Sequence, residues 1–150
     1  MDKKILLLAD DDIDDKDLFR EALESIDSSI TCHIADNGKE ALSKLDSLQD
    51  VPQLIFLDIN MPVMNGLQCL AKLQADERYN RIPVIVISTS SYQREMDMVK
   101  SLGAVCYFTK PHHFTELTQI LQVIVTHLST NVQPAIADLQ ERYPRYIHAL

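Results

Sequence analysis

Apolar residues along the chain alternate between two rhythms. Short runs with little polar interruption cover residues 4–9, 54–58, 84–87 and 104–109, and a weaker one covers 30–35. Runs of this length and character are what strands covered on both faces show. Between them, apolar positions recur at helical spacing: Leu18, Phe19, Ala22, Leu23 and Ile26; then Ala41, Leu42, Leu45 and Leu48; then Leu67, Leu70, Ala71 and Leu73. The longest stripe runs from Phe114 through Leu117, Ile120, Leu121, Ile124 and Val125 to Leu128. A 3.6-residue period of this kind marks one buried face of a helix.

The punctuation agrees with the rhythm. Asp10, Asp11 and Asp12 stop the first run, and Asp14, Asp15 and Asp17 place negative charge in the next helix's first turn. Asp36-Asn37-Gly38 and Asn65-Gly66 open helices. Pro83 precedes the fourth strand, Ser88-Thr89-Ser90-Ser91 is a polar loop able to cap the following helix, and Gly103 closes that helix. Five strands alternating with five helices over residues 4–128 predict one α/β domain. Its sheet is parallel, with right-handed crossovers and helices on both faces.

Residues 129–150 extend beyond this pattern. Pro134 suits a first helical turn, Ile136, Leu139 and Tyr143 share a face, and Pro144 ends the helix. Tyr146, Ile147 and Leu150 add apolar bulk that has to be covered. Two coverings are open: the tail docks on its own domain, or it contacts a partner or a second copy in a homodimer. Twenty-odd residues are too few for a DNA-binding or enzymatic output domain.

Charge narrows the class. The formal net charge is −8, which argues against a nucleic-acid binder, because such proteins need a basic stripe to neutralise phosphates. Ten of the 22 acidic residues fall within the first 27 positions, so the negative charge is local. No apolar run approaches the roughly 20 residues that span a bilayer, and the N-terminus lacks the apolar stretch of a signal peptide. A cytoplasmic protein with no membrane association is the expectation. Cys32, Cys69 and Cys106 are odd in number and far apart, as reduced, buried, small hydrophobes are and as disulfides or thiolate metal sites are not.

The chemistry lies where the strands end. In a parallel sheet every strand's C-terminal end lies on one edge, where such folds bind ligands. Asp10 and Asp11 end the first strand, Asp58 the third, Ser88 the fourth and Lys110 the fifth. Three carboxylates together repel one another and raise one another's pKa values. A small divalent cation relieves this, and an all-oxygen donor set favours Mg²⁺, or Mn²⁺, over zinc. Three aspartates, one divalent ion and one lysine sum to zero charge. Such a site can accept a phosphoryl group between metal and lysine, with the Ser88 hydroxyl donating to it.

Asp10-Asp11, Asp58 with Met61-Pro62 and Gly66, Ser88, and Lys110-Pro111 together resemble the receiver domain of two-component response regulators. The likeness covers residues 3–128, leaving 129–150 as a C-terminal extension. It implies a flavodoxin-like (βα)5 doubly wound fold with strand order 2-1-3-4-5. It also implies that Asp58 takes a phosphoryl group from a phosphohistidine on a sensor histidine kinase or histidine phosphotransfer protein. The resemblance further implies that Asp11 and Asp58 hold Mg²⁺ with the backbone carbonyl of Asn60, while Asp10 acts mainly through metal-bound water. Lys110 pairs with phosphoryl oxygens, Ser88 takes the family's hydroxyl position, and Tyr107 takes the place of its aromatic switch. The phosphorylated site draws the Ser88 loop inward, and Tyr107 rotates into the space vacated.

The chain departs from the pattern in places. Ile13 stands where many receivers carry proline, and Asn60 and Ser90 occupy positions that in the family influence phosphoryl lifetime. His112-His113 has no third ligand in sight and reads as a polar helix start. The resulting expectation is a stand-alone phosphoacceptor that signals through protein contacts with a downstream target and is not an enzyme. The alternative is a receiver-like scaffold working without phosphorylation. A haloacid-dehalogenase-type phosphatase would need an acidic residue two positions after its nucleophile, and here that position is Asn60.

Overall fold

The computed structural model describes residues 3–150. Five strands, β1 (Ile5–Ala9), β2 (Thr31–Ala35), β3 (Leu54–Asp58), β4 (Val84–Ser88) and β5 (Cys106–Thr109), alternate with five helices. These are α1 (Ile13–Ile26), α2 (Gly38–Ser47), α3 (Gly66–Ala75), α4 (Gln93–Ser101) and α5 (Phe114–Thr126). The first five strands are parallel and lie in the order β2-β1-β3-β4-β5. Every residue of β1, β3 and β4 is buried, as uninterrupted apolar runs demand.

Alternate residues of each strand feed two separate cores. Leu6, Leu8, Phe56, Ile85 and Phe108 meet α1 and α5 on one face, with Phe19 edge-on to Phe56 at 4.8 Å between ring centres. Leu7, Ile55, Leu57, Val84 and Val86 meet α2, α3 and α4 on the other. Cys69 and Cys106 are buried and Cys32 is half-buried, and none is paired. No described helix is long and apolar enough to cross a membrane.

The helix starts follow from local side-chain chemistry, with two exceptions. Asp12 accepts the Asp15 N–H, Asn37 accepts the Glu40 N–H, and Asn65 forms a reciprocal capping box with Gln68, each satisfying amides the helix leaves free. The serine-rich loop does not cap α4. Its N-cap is Tyr92, which makes no side-chain hydrogen bond to the helix. His113 is the N-cap of α5 and likewise makes no side-chain cap bond.

The sheet has one strand more than the five expected. After α6 (Val132–Arg142), which contains Pro134 in its first turn, residues Ile147–Ala149 form β6. It runs antiparallel to β5, pairing Phe108 with Ile147, Tyr107 with His148 and Cys106 with Ala149. Thr109 N–H donates to the Tyr146 carbonyl (2.8 Å) and Leu150 N–H to that of Val105 (3.1 Å), so the pairing extends past the strand at both ends. Ile147 is fully buried in the α1–α5 core beside Leu139 of α6, while Tyr143 and Tyr146 donate to Gln119 and Glu116 of α5. The tail lies on its own domain because a bare β5 edge and an apolar α5 flank are both covered by it. Three residues are too few to display alternation, which is why the sequence pattern shows bulk there and no strand.

Ile147→Ala should therefore lower stability by about 2–4 kcal/mol, the usual effect of truncating a buried aliphatic side chain. In urea the midpoint should fall with little change in slope. A change below about 0.5 kcal/mol would mean that the tail is not part of the cooperative unit.

Candidate functional site

The carboxyl edge of the sheet gathers the residues that the sequence pattern placed there. Asp10 follows β1, Asp58 ends β3, Ser88 ends β4 and Lys110 follows β5. Asp10, Asp58 and Ser88 are the buried polar residues of the described chain, exposed by 1%, 7% and 1%. Burial of this degree in polar groups calls for partners.

The main chain fixes them first. Asp10 N–H donates to the Ala35 carbonyl (3.0 Å) and Lys110 N–H to that of Ser88 (2.8 Å), extending the β1–β2 and β4–β5 pairings to the rim. The side chains follow. The Lys110 ammonium lies 2.9 Å from Asp10 Oδ2, 2.7 Å from Asp15 Oδ2 and 3.5 Å from Asp58 Oδ2. Asp10 Oδ1 accepts the Asp12 N–H at 3.0 Å, so both oxygens of Asp10 are engaged. Asp58 Oδ1 receives the Asn60 N–H at the long distance of 3.4 Å.

Asp10, Asp11 and Asp58 each offer a carboxylate oxygen, and these three oxygens lie within 4.8 Å of one another. Asp11 is exposed, so the cluster opens to solvent on its side. Burial pushes the Asp58 carboxyl up to about 7, with the Lys110 charge opposing the shift and Asp10 adding to it. Burial alone would depress the Lys110 ammonium. The hydrogen bond to Asp15 and the charges of Asp58 and Asp10 outweigh it and hold its pKa above the ordinary value. Hard oxygen donors around a crowded set of negative charges fit a divalent cation such as Mg²⁺ or Mn²⁺.

Ser88 Oγ accepts the Ser90 N–H at 3.2 Å and lies 3.5 Å from Ser90 Oγ. The Tyr107 ring is fully buried on the α4 side of β5. Its hydroxyl lies 2.8 Å from the Ser90 carbonyl and 2.9 Å from Glu95 Oε2, two acceptors sharing one hydrogen. The ring thus points inward in this structure. Across the strand pair the His148 ring lies edge-on at 6.2 Å.

Two partners escaped the sequence reading. Asp15 presents as a favourable charge in a first helical turn, yet its side chain binds Lys110, 95 residues away. Glu95 likewise reads as a first-turn acid and meets Tyr107. The only signal for Asp15 was its position one helical turn beyond the Asp10–Asp12 cluster.

Comparison with known proteins places this geometry in a family context. A family model for the response regulator receiver domain matches residues 6–122. Response regulator Rcp1 of Synechocystis sp. is 30% identical over 138 residues, covering 88% of this chain and 94% of that protein. The crystal structure of the phosphorylated cyanobacterial phytochrome response regulator RcpA superposes with a TM-score of 0.78 at 30% identity, covering 86% of this chain and 96% of that one. The Mn²⁺-bound form of Rcp1 gives a TM-score of 0.74 at 29% identity, with 85% and 96% covered. A protein-glutamate methylesterase/protein-glutamine glutaminase of Methanococcoides burtonii is 34% identical over 120 residues, and this chain spans 33% of its length.

The raised Asp58 pKa has a signed consequence for stability. Between the ordinary carboxylate range and about 7, the folded protein keeps a proton that the unfolded chain has released, so stability contributed by this group falls as pH rises through that window. Without metal, Asp58→Asn should remove the fall and exceed the wild type at pH 8 by on the order of 2 kcal/mol. Mg²⁺ should recover part of the loss in the wild type only. Urea midpoints that run parallel from pH 5 to pH 8 in the two proteins would contradict this.

Proposed function

The chain belongs to the response regulator receiver domain family, and on that premise we propose that it accepts a phosphoryl group on Asp58. Receiver domains of response regulators receive phosphoryl groups from histidine kinases. The donor proposed here is a phosphohistidine on a sensor kinase or a histidine phosphotransfer protein. The observation that carries the reading is the buried Asp58 carboxylate flanked by Asp10, Asp11 and the Lys110 ammonium.

An oxygen of ionised Asp58 attacks phosphorus in line with the donor ring nitrogen. A P–O bond forms as the P–N bond breaks, and the electron pair of the broken bond stays on the imidazole. The ring leaves neutral because its other nitrogen carries a proton. Such a transition state is loose, so positioning and charge neutralisation supply most of the acceleration. Lys110 offers positive charge to the transferring oxygens, and the Ser88 hydroxyl donates to one of them. Asp11 and Asp58, with the Asn60 main-chain carbonyl and with Asp10 through water, would hold a divalent cation, which would supply the remaining positive charge. Asp10 has both oxygens occupied by Lys110 and the Asp12 amide, which suits it to an outer role through water. The protein is a phosphoacceptor that assists its own phosphorylation and dephosphorylation.

The output follows from what Ser88 touches. Drawing its hydroxyl toward a phosphoryl oxygen disturbs the Ser90 amide it now accepts. The Ser90 carbonyl holds the Tyr107 hydroxyl, and Tyr107 pairs with His148 on β6. The change therefore reaches α4 and the tail strand, the surface proposed to contact the downstream protein.

Incubation with acetyl phosphate and Mg²⁺ should add one phosphoryl group by mass, and Asp58→Asn should abolish the addition. An unmodified wild type that is also insensitive to beryllofluoride would remove the basis for this function and favour a phosphorylation-independent scaffold. Tyr107→Phe should still be modified. In that variant the amide NMR shifts of α4 and β6 on phosphorylation should shrink by half or more relative to wild type, an order-of-magnitude expectation for losing one link of a hydrogen-bonded route; undiminished shifts would rule the route out.

A further inference from the structure

Lys110 is shared among more carboxylates than the phosphoacceptor chemistry requires. An ammonium has three N–H donors. Two are spent at hydrogen-bond length on Asp10 (2.9 Å) and Asp15 (2.7 Å), while Asp58 lies farther off at 3.5 Å. Asp15 sits in the first turn of α1, where the Asp12 cap takes its amide and leaves its carboxylate facing Lys110. It is a fourth carboxylate at a site that three carboxylates, one lysine and one divalent cation would leave neutral.

We propose that Asp15 is a positioning residue that holds Lys110 in reserve and competes with the phosphoryl group on Asp58 for its ammonium. The inference rests on the phosphoacceptor reading of Asp58. When the phosphoryl group arrives, a Lys110 N–H passes from Asp15 to a phosphoryl oxygen, and no covalent bond changes in that exchange. Asp15 thereby sets how readily the site fills. It also ties the first turn of α1 to the state of Asp58, because the cation that fastens that turn is the one withdrawn. A carboxylate that merely favoured the helix dipole would act in the same way at position 14 and would have no need to touch Lys110. The Asp15 side chain is 36% exposed, so its hold on the lysine is that of a half-solvated pair, modest enough to be displaced.

The test titrates beryllofluoride with Mg²⁺ into the full chain, reading amide NMR shifts, and measures phosphoryl uptake from acetyl phosphate. Asp15→Asn should bind beryllofluoride more tightly and take up phosphoryl faster, by about two- to fivefold, the factor that corresponds to an ion pair of this exposure. Asp14→Asn removes the same charge from an exposed neighbour without a Lys110 contact, and should leave both quantities within about 1.5-fold of wild type. Asp15→Glu should stay near wild type. The Lys110 Nζ resonance should shift on beryllofluoride addition in wild type and already lie near its final position in Asp15→Asn. An Asp15→Asn protein that matches wild type, that matches Asp14→Asn, or that binds more weakly overturns the competition. Failure of the wild type to respond to beryllofluoride defeats the Asp58 reading itself and the inference with it.

Discussion

Burying a carboxylate at the end of an apolar strand is unfavourable unless positive charge is held beside it. Asp58 is in that position, and Lys110 is the side chain that answers it. The strand order decides how. With β1, β3, β4 and β5 adjacent in that order, Asp10 and Ser88 flank Asp58 from the neighbouring strands, while Lys110 must reach it from two strands away. Neighbouring strands lie about 4.8 Å apart, so only a long side chain spans the gap. The Lys110 amide bond to the Ser88 carbonyl fixes where that side chain sets out. Its ammonium then knits together residues from β1, α1 and β3, which places the charge balance of the whole rim on one group.

The sequence pattern was most readable where burial was most complete. The first strand, third strand and fourth strand are apolar runs because both faces are covered, and their C-terminal ends locate Asp10, Asp58 and Ser88 without further information. Once the sheet is known to be parallel, Lys110 joins them for the same reason. What could not be read is equally physical. Asp15 satisfies a helix start and a distant lysine with one side chain, and only the first of these is local. The strand formed by Ile147–Ala149 exists because β5 would otherwise offer a bare edge, a requirement set by the sheet and absent from the tail's own composition. Tyr92, and not a serine of the polar loop, stands at the N-cap of α4, while the Ser90 amide donates to Ser88 Oγ and the Ser90 carbonyl accepts the Tyr107 hydroxyl.

The tail changes the meaning of the surface around β5. In a five-stranded sheet the edge of β5 would lie bare between α4 and α5. Here β6 pairs with it and α6 packs against α5. Ile147 belongs to one core and His148 faces Tyr107, so the tail strand touches both faces of the sheet. Tyr107 therefore borders residues of the extension as well as α4. The surface beside β5 is thus composite, half domain and half tail.

The rim is fastened differently on its two sides. On the α3 side there is no slack. A Cβ on Gly66 would lie 2.2 Å from the Asp58 carbonyl oxygen, so only glycine allows this approach. The Gly66 amide binds the Ile59 carbonyl at 2.9 Å, the Asn65–Gln68 box closes the helix start, and Val63 is held at φ 67° between them. A β-branched residue in that region is strained, which a loop tolerates only when its surroundings over-determine it. On the α4 side the helix begins without a side-chain cap, after a loop fastened by Ser88, Ser90 and Tyr107. The rim is thus close-packed toward α3 and fastened toward α4 by hydrogen bonds, whose partners exchange at far lower cost than a close-packed turn breaks.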